Sequence, residues 1–140
     1  MNHNQTSGFT LIELLVAVTI IGLLSAIAYP SYRMQVQQTR RAEVQAELME
    51  LAQYLERIYS ESGRYNPDTL NLAPTSDYYD IGFVADTLTA TTYTLEAVPK
   101  DGSSQDGTGA LQIDQAQRRF WDENNDGDMD GTGEDNWHRG

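Results

Sequence analysis

The chain begins with an almost unbroken apolar run from Phe9 to Tyr29, 21 residues that include one charge, Glu13. As a helix it would reach about 31 Å, enough to cross the hydrocarbon core of a bilayer. Pro30 follows, and the pattern then changes period. Val44, Leu48, Leu51, Leu55 and Ile58 recur at spacings of four, three, four and three, which is one face of a helix. Ala52 and Tyr59 widen that face. The opposite face carries Arg40, Arg41, Glu43, Glu47, Glu50, Glu56 and Arg57. Ser62-Gly63 supplies a stop. The spacing predicts one long helix from Phe9 to Glu61, apolar all round in its first half and one-sided in its second.

Residues 64–77 contain Asn66-Pro67-Asp68 and Pro74-Thr75-Ser76-Asp77 and read as a loop. Four strand candidates follow, at Tyr78 to Val84, Thr91 to Val98, Ala110 to Asp114 and Gln117 to Trp121. Their short connections favour an antiparallel meander, with the apolar helix face packed on one side. The expected class is α+β: a long N-terminal helix on a small antiparallel sheet.

Charge narrows the partners. The chain carries −12 at pH 7, and residues 61–140 hold sixteen acidic against five basic side chains. Such a surface repels nucleic acid and anionic headgroups, so no nucleic-acid partner is expected. The chain has no cysteine, which removes disulfides and thiolate chemistry. The two histidines are His3 and His138, near the two ends, and no phosphate loop or histidine metal motif is present. An enzyme is not expected.

Glu13 discriminates among readings of the N-terminus, because an acidic side chain at the centre of a membrane helix costs about 2.5–3.5 kcal/mol, less near an end. A cleaved signal peptide would use Ala26-Ile27-Ala28, but its apolar stretch is usually about 7–15 residues, and the segment before Phe9 lacks Lys and Arg. A plain anchor tolerates the length and leaves Glu13 unexplained. The run Gly8-Phe9-Thr10-Leu11-Ile12-Glu13 resembles the N-terminal motif of type IV pilins and type II secretion pseudopilins. The resemblance implies a leader, Met1 to Gly8, cut before Phe9 by a prepilin peptidase, with Phe9 then N-methylated. It implies that Glu13 pairs with the amine of a neighbouring subunit. Gly22 and Pro30 fall where pilins commonly carry these residues and would kink or loosen the helix during assembly. The leader departs from the family in offering His3 where Lys or Arg is usual.

The acidic tail is the second informative pattern. Asp122, Asn124, Asp126, Asp128 and Asp130 place oxygens at alternate positions, with Gly127 at the sixth, as in an EF-hand-type Ca²⁺ loop. Position twelve is Gly133 where that loop needs a bidentate Glu. Ca²⁺ is therefore a candidate ligand beside the simpler reading of a solvated acidic turn. Phe120-Trp121-Asp122, the Asn/Asp-rich turn and Trp137 resemble PilE-like minor pilins, without the cysteine pair of many major pilins. The alternative is the major pseudopilin of type II secretion, whose C-terminal loop binds calcium.

The resemblance thus implies a leader at 1–8, a transmembrane or filament-core segment at 9–30, and a head at 31–140 that includes the amphipathic half of the helix. It implies a single-pass inner-membrane precursor, later part of an extracellular pilus or periplasmic filament. Its partners would be other pilin subunits, the peptidase and the assembly platform.

Overall fold

The computed structural model describes residues 9–65, 76–129 and 136–137. Helix α1 spans Leu11–Ser62 and runs through Gly22 and Pro30 without a break in its assignment. A proline removes one backbone donor, and the turns on either side keep theirs. Gly63, at φ 73°, ends the helix: its N–H donates to the Tyr59 carbonyl at 2.7 Å. A left-handed residue just past a helix is the conformation glycine adopts most cheaply. The chain divides into two compact units, Met1–Val36 and Gln37–Gly140.

The second unit contains a sheet of β1 (Tyr79–Phe83), β2 (Thr94–Pro99), β3 (Leu111–Asp114) and β4 (Arg119–Trp121), in the order β1-β2-β3-β4. Every neighbouring pair is antiparallel, as the short connections predict. Register stacks Ile81, Ala97, Leu111 and Trp121 in one row, and Phe83, Leu95, Ile113 and Arg119 in the next. Apart from Phe83 and Arg119, which are half-buried, these residues join Val44, Leu48, Ala52 and Leu55 of α1 in a single core cluster. The buried stripe therefore centres on Ala52, while Leu51 and Ile58 are half-buried at its margin. Periodicity locates a helix face to within about one residue, and the sheet selects which side of it is covered.

Strand β2 starts later than Thr91 because the threonines before it bond to one another. The hydroxyls of Thr89 and Thr92 lie 2.7 Å apart, and Thr89 Oγ1 accepts the Thr91 and Thr92 N–H groups. Such side-chain turns compete with ladder formation. The expected loop at 64–77 falls mostly outside the described residues.

Two polar clasps fix segments to the core. Tyr65 and Tyr93 both donate to Glu56 Oε1, at 2.7 and 3.3 Å, and their rings meet edge to face at 4.8 Å. Tyr79 donates to Oε1 of the fully buried Gln105 at 2.9 Å. Elsewhere, backbone meets backbone: Gly109, at φ 79°, lies so close to Asp122 that a Cβ would overlap the Asp122 carbonyl oxygen. Gly109→Ala is expected to destabilise the unit by roughly 2 kcal/mol or more, read as a lower Tm of the full chain in detergent.

Burial, followed by the bond to Glu56 and its negative charge, raises the Tyr65 phenol above the ordinary value of 10, and burial with Glu56 does the same for Tyr93. A raised folded pKa means that the stabilisation is fully present below pH 10 and is lost as pH climbs above it. Thermal melts across that range should show Tm falling steeply on the alkaline side. Tyr65→Phe should make the fall shallower.

Candidate functional site

In the first unit, the apolar run presents its side chains outward. Leu11 is 82% exposed, Ile27 77% and Phe9 86%. Helix α1 contains a window of mean hydropathy 2.5, long and apolar enough to cross a membrane. At its start, Thr10 and Glu13 form a reciprocal cap. The Thr10 N–H and hydroxyl donate to Glu13 Oε2 at 3.0 and 2.7 Å, and the Glu13 N–H donates to Thr10 Oγ1 at 3.2 Å. This is the capping box, which satisfies orphan N–H groups at a helix start. Its signal, Thr followed three residues later by Glu, stands in the sequence beside the motif that points to a partner amine. Both side-chain bonds fall on Oε2; among the described residues Oε1 accepts none.

Gly22 has nothing within 4 Å of a built Cβ, so packing within the chain does not demand a glycine there. Pro30 lies inside α1. Gly8, on the leader side of the expected cut, lies outside the described residues.

The tail residues separate into two kinds. Asp122 is 3% exposed, and its two oxygens accept the N–H groups of Asp126 and Gly127, each at 3.0 Å. Asn124 Oδ1 also accepts the Asp126 N–H at 2.8 Å, and Asp126 Oδ1 accepts the Asp128 N–H at 2.9 Å. Asn124, Asp126 and Asp128 are exposed, and Asp130 lies outside the described residues. Among the described residues no three acidic or histidine side chains converge on a point that could hold a metal. Asp122, Asn124 and Asp126 each accept from the loop's own backbone, as side-chain-capped turns do.

Trp121 and Trp137, expected only as part of a tail pattern, tie the end of the chain to the sheet. Trp121 Nε1 donates to the Thr108 carbonyl at 3.0 Å, with the Arg41 guanidinium 3.9 Å from the ring centroid. Trp137 is 3% exposed, and its Nε1 donates to the carbonyls of Gln112 and Phe120 at 3.1 and 3.0 Å. Gln38, Arg41 and Gln45 of α1 face these two rings and Glu123 across a cavity of about 380 Å³.

Comparison with known proteins agrees with this architecture. Residues 30–112 match the sequence model of a family described as "Type IV minor pilin ComP, DNA uptake sequence receptor". Residues 3–29 match the prokaryotic N-terminal methylation motif. A fimbrial protein of Pseudomonas aeruginosa is 37% identical over 81 residues, 58% of this chain and 51% of that protein. The type IV major pilin protein PilA of Myxococcus xanthus is 37% identical over 62 residues, 44% of this chain and 28% of that one. The chain thus spans about half, or less, of the length of these curated relatives. The non-core minor pilin PilV of Neisseria meningitidis shares the fold at a TM-score of 0.53 and 20% identity, over 61% of this chain and 85% of that one.

Asp122→Ala removes the buried acceptors of the Asp126 and Gly127 amides and should lower stability by about 2 kcal/mol. Hydrogen exchange should show the Asp126 and Gly127 amides losing protection in that variant, and Asp122→Asn should lose less.

Proposed function

Since the chain belongs to the type IV minor pilin family, we propose that it is inserted in the inner membrane as a prepilin, processed at its N-terminus and assembled into a type IV pilus. The family is one of structural subunits and not of enzymes. The observation that carries the reading is the first unit: an apolar helix with exposed side chains on every side and a capped carboxylate at its start. Such a surface is stable in lipid or in a bundle of like helices, and not in water.

On this reading the leader ends at Gly8, the cut exposes the amine of Phe9, and that amine is methylated. Glu13 then offers its carboxylate to the amine of the adjacent subunit, and the pair offsets the cost of each charge in apolar surroundings. Lipid and a helix bundle are equally apolar, so extraction from the bilayer needs a machine, supplied by the assembly platform and its ATPase. Pilus subunits among the relatives quoted above favour this over a type II secretion pseudopilin. The DNA-receptor part of the matched family's description fits this chain less well, because residues 61–140 carry a net −11.

Mass spectrometry of the mature chain should find it beginning at N-methylated Phe9; a start at Tyr29 would return it to the signal-peptide reading. Glu13→Ala should still insert in the membrane while its amount in sheared filaments drops at least about tenfold. Normal incorporation would remove the proposed amine partner. Thr10→Val tests the cap separately, since it removes the hydroxyl and leaves the carboxylate.

A further inference from the structure

The second unit has opposite charge at the two ends of its shortest strands. At the β3–β4 turn, Gln117, Arg118, Arg119, Phe120 and Asn136 line a cleft of about 570 Å³ whose wall, among the described residues, holds two arginines and no carboxylate. At the other end of these strands, where β2 leaves the sheet and β4 ends, a second cleft of about 410 Å³ is lined by Asp101, Asp106, Asp122 and Asp126 beside Val98 and Pro99. Among the described residues its wall holds no lysine or arginine. Register fixes the opposition: Arg119 pairs across to Ile113, near the end of β3, whereas Trp121 pairs to Leu111, at its start.

The arginines are held ready for a partner. Arg118 donates from Nε to the buried Asp114 at 2.7 Å, yet its side chain is 68% exposed. Arg119 lies 5.3 Å from the Trp137 ring centroid, in cation–π range. Planar guanidinium groups fixed in this way lose little freedom when they meet a carboxylate. Asp101, Asp106 and Asp126 are exposed.

We propose that the arginine cleft at the β3–β4 turn docks the acidic end of a second copy of this chain, head to tail. Charge complementarity selects the occupant: in a chain of net −12, copies repel one another on the whole, and the arginines of this cleft attract the carboxylates of the opposite end. Because the two clefts lie at opposite ends of the strands, the contact is heterologous, and it extends into a row where a two-fold contact would close as a dimer. Exposed ion pairs are individually weak. The contact therefore rests on the filament reading above, in which bundled stems hold the second units at high effective concentration.

The absence of cysteine makes the test clean. Ala116→Cys marks the β3–β4 turn and Val98→Cys marks the acidic cleft; both positions are exposed. Mild oxidation of filaments carrying the full-length double variant should give a ladder of dimers, trimers and longer species. Neither single variant should cross-link. Reversing Arg118 and Arg119 to Glu should cut the ladder at least about tenfold, and adding Asp101→Arg and Asp106→Arg should restore it. Arg118→Gln with Arg119→Gln, checked for an unchanged melt, guards against misfolding. A chain present in filaments but monomeric after oxidation would overturn the contact alone; a chain absent from filaments would overturn the subunit reading and the contact with it. Dimers from either single variant would replace the row with a two-fold contact. A ladder that survives charge reversal while a DNA duplex loses its hold would assign the arginines to nucleic acid instead.

Discussion

The apolar side chains from Phe9 to Met34 are left exposed by their own chain, and much else follows from that exposure. A water-soluble domain would fold such a surface inward or aggregate through it. Here the sequence keeps it uniformly apolar, and confines the packed core to residues from Val44 onward. One helix therefore meets two requirements. Leu11 to Met34 must be compatible with lipid or other helices on every side. Val44 to Leu55 must present one narrow stripe to a sheet. The change from one to the other follows Pro30 and the first arginines, Arg33, Arg40 and Arg41.

Beyond that stripe the second unit is held by polar side chains, most of them acting on backbone. Trp121 and Trp137 each bring a ring to the core and an indole N–H to a carbonyl. Asp122 uses both oxygens on two consecutive amides. Gln105 reaches the core from a loop to meet Tyr79. A four-stranded sheet with strands as short as three residues has few ladder bonds of its own. Clasps of this kind supply what a disulfide supplies in other small domains, without cysteine.

The long helix, the four strands and their antiparallel order were legible because period and turn residues report on local structure. What escaped was decided by tertiary context or by competition within one segment. Leu51 and Ala52 are equally good helix residues, and only the sheet decides that Ala52 is covered. Thr91 is a good strand residue, yet Thr89 and Thr92 bind each other and delay the strand. The near-complete burial of Asp122, whose two oxygens accept the Asp126 and Gly127 amides, depends in the same way on how the loop folds back. In each case the sequence named the right residue types, and the choice between their uses depended on a neighbour that sequence spacing does not reveal.

Glu13 is the residue at which the two levels meet. Read in isolation it is a costly charge in an apolar run, which points outward to a partner. In the structure it already has a partner, Thr10, and closes the first turn of α1. The two uses are compatible in geometry. The cap occupies Oε2 on one side of the carboxylate, while Oε1 accepts nothing among the described residues. On the proposed reading, an incoming amine takes Oε1 without opening the cap, so the first turn need not melt for subunits to join. The cap also reduces the cost of holding the carboxylate in lipid before any partner arrives, since two donors replace part of its lost hydration. A glutamate in that position, with a threonine three residues before it, can therefore wait in the membrane and still have an oxygen to offer.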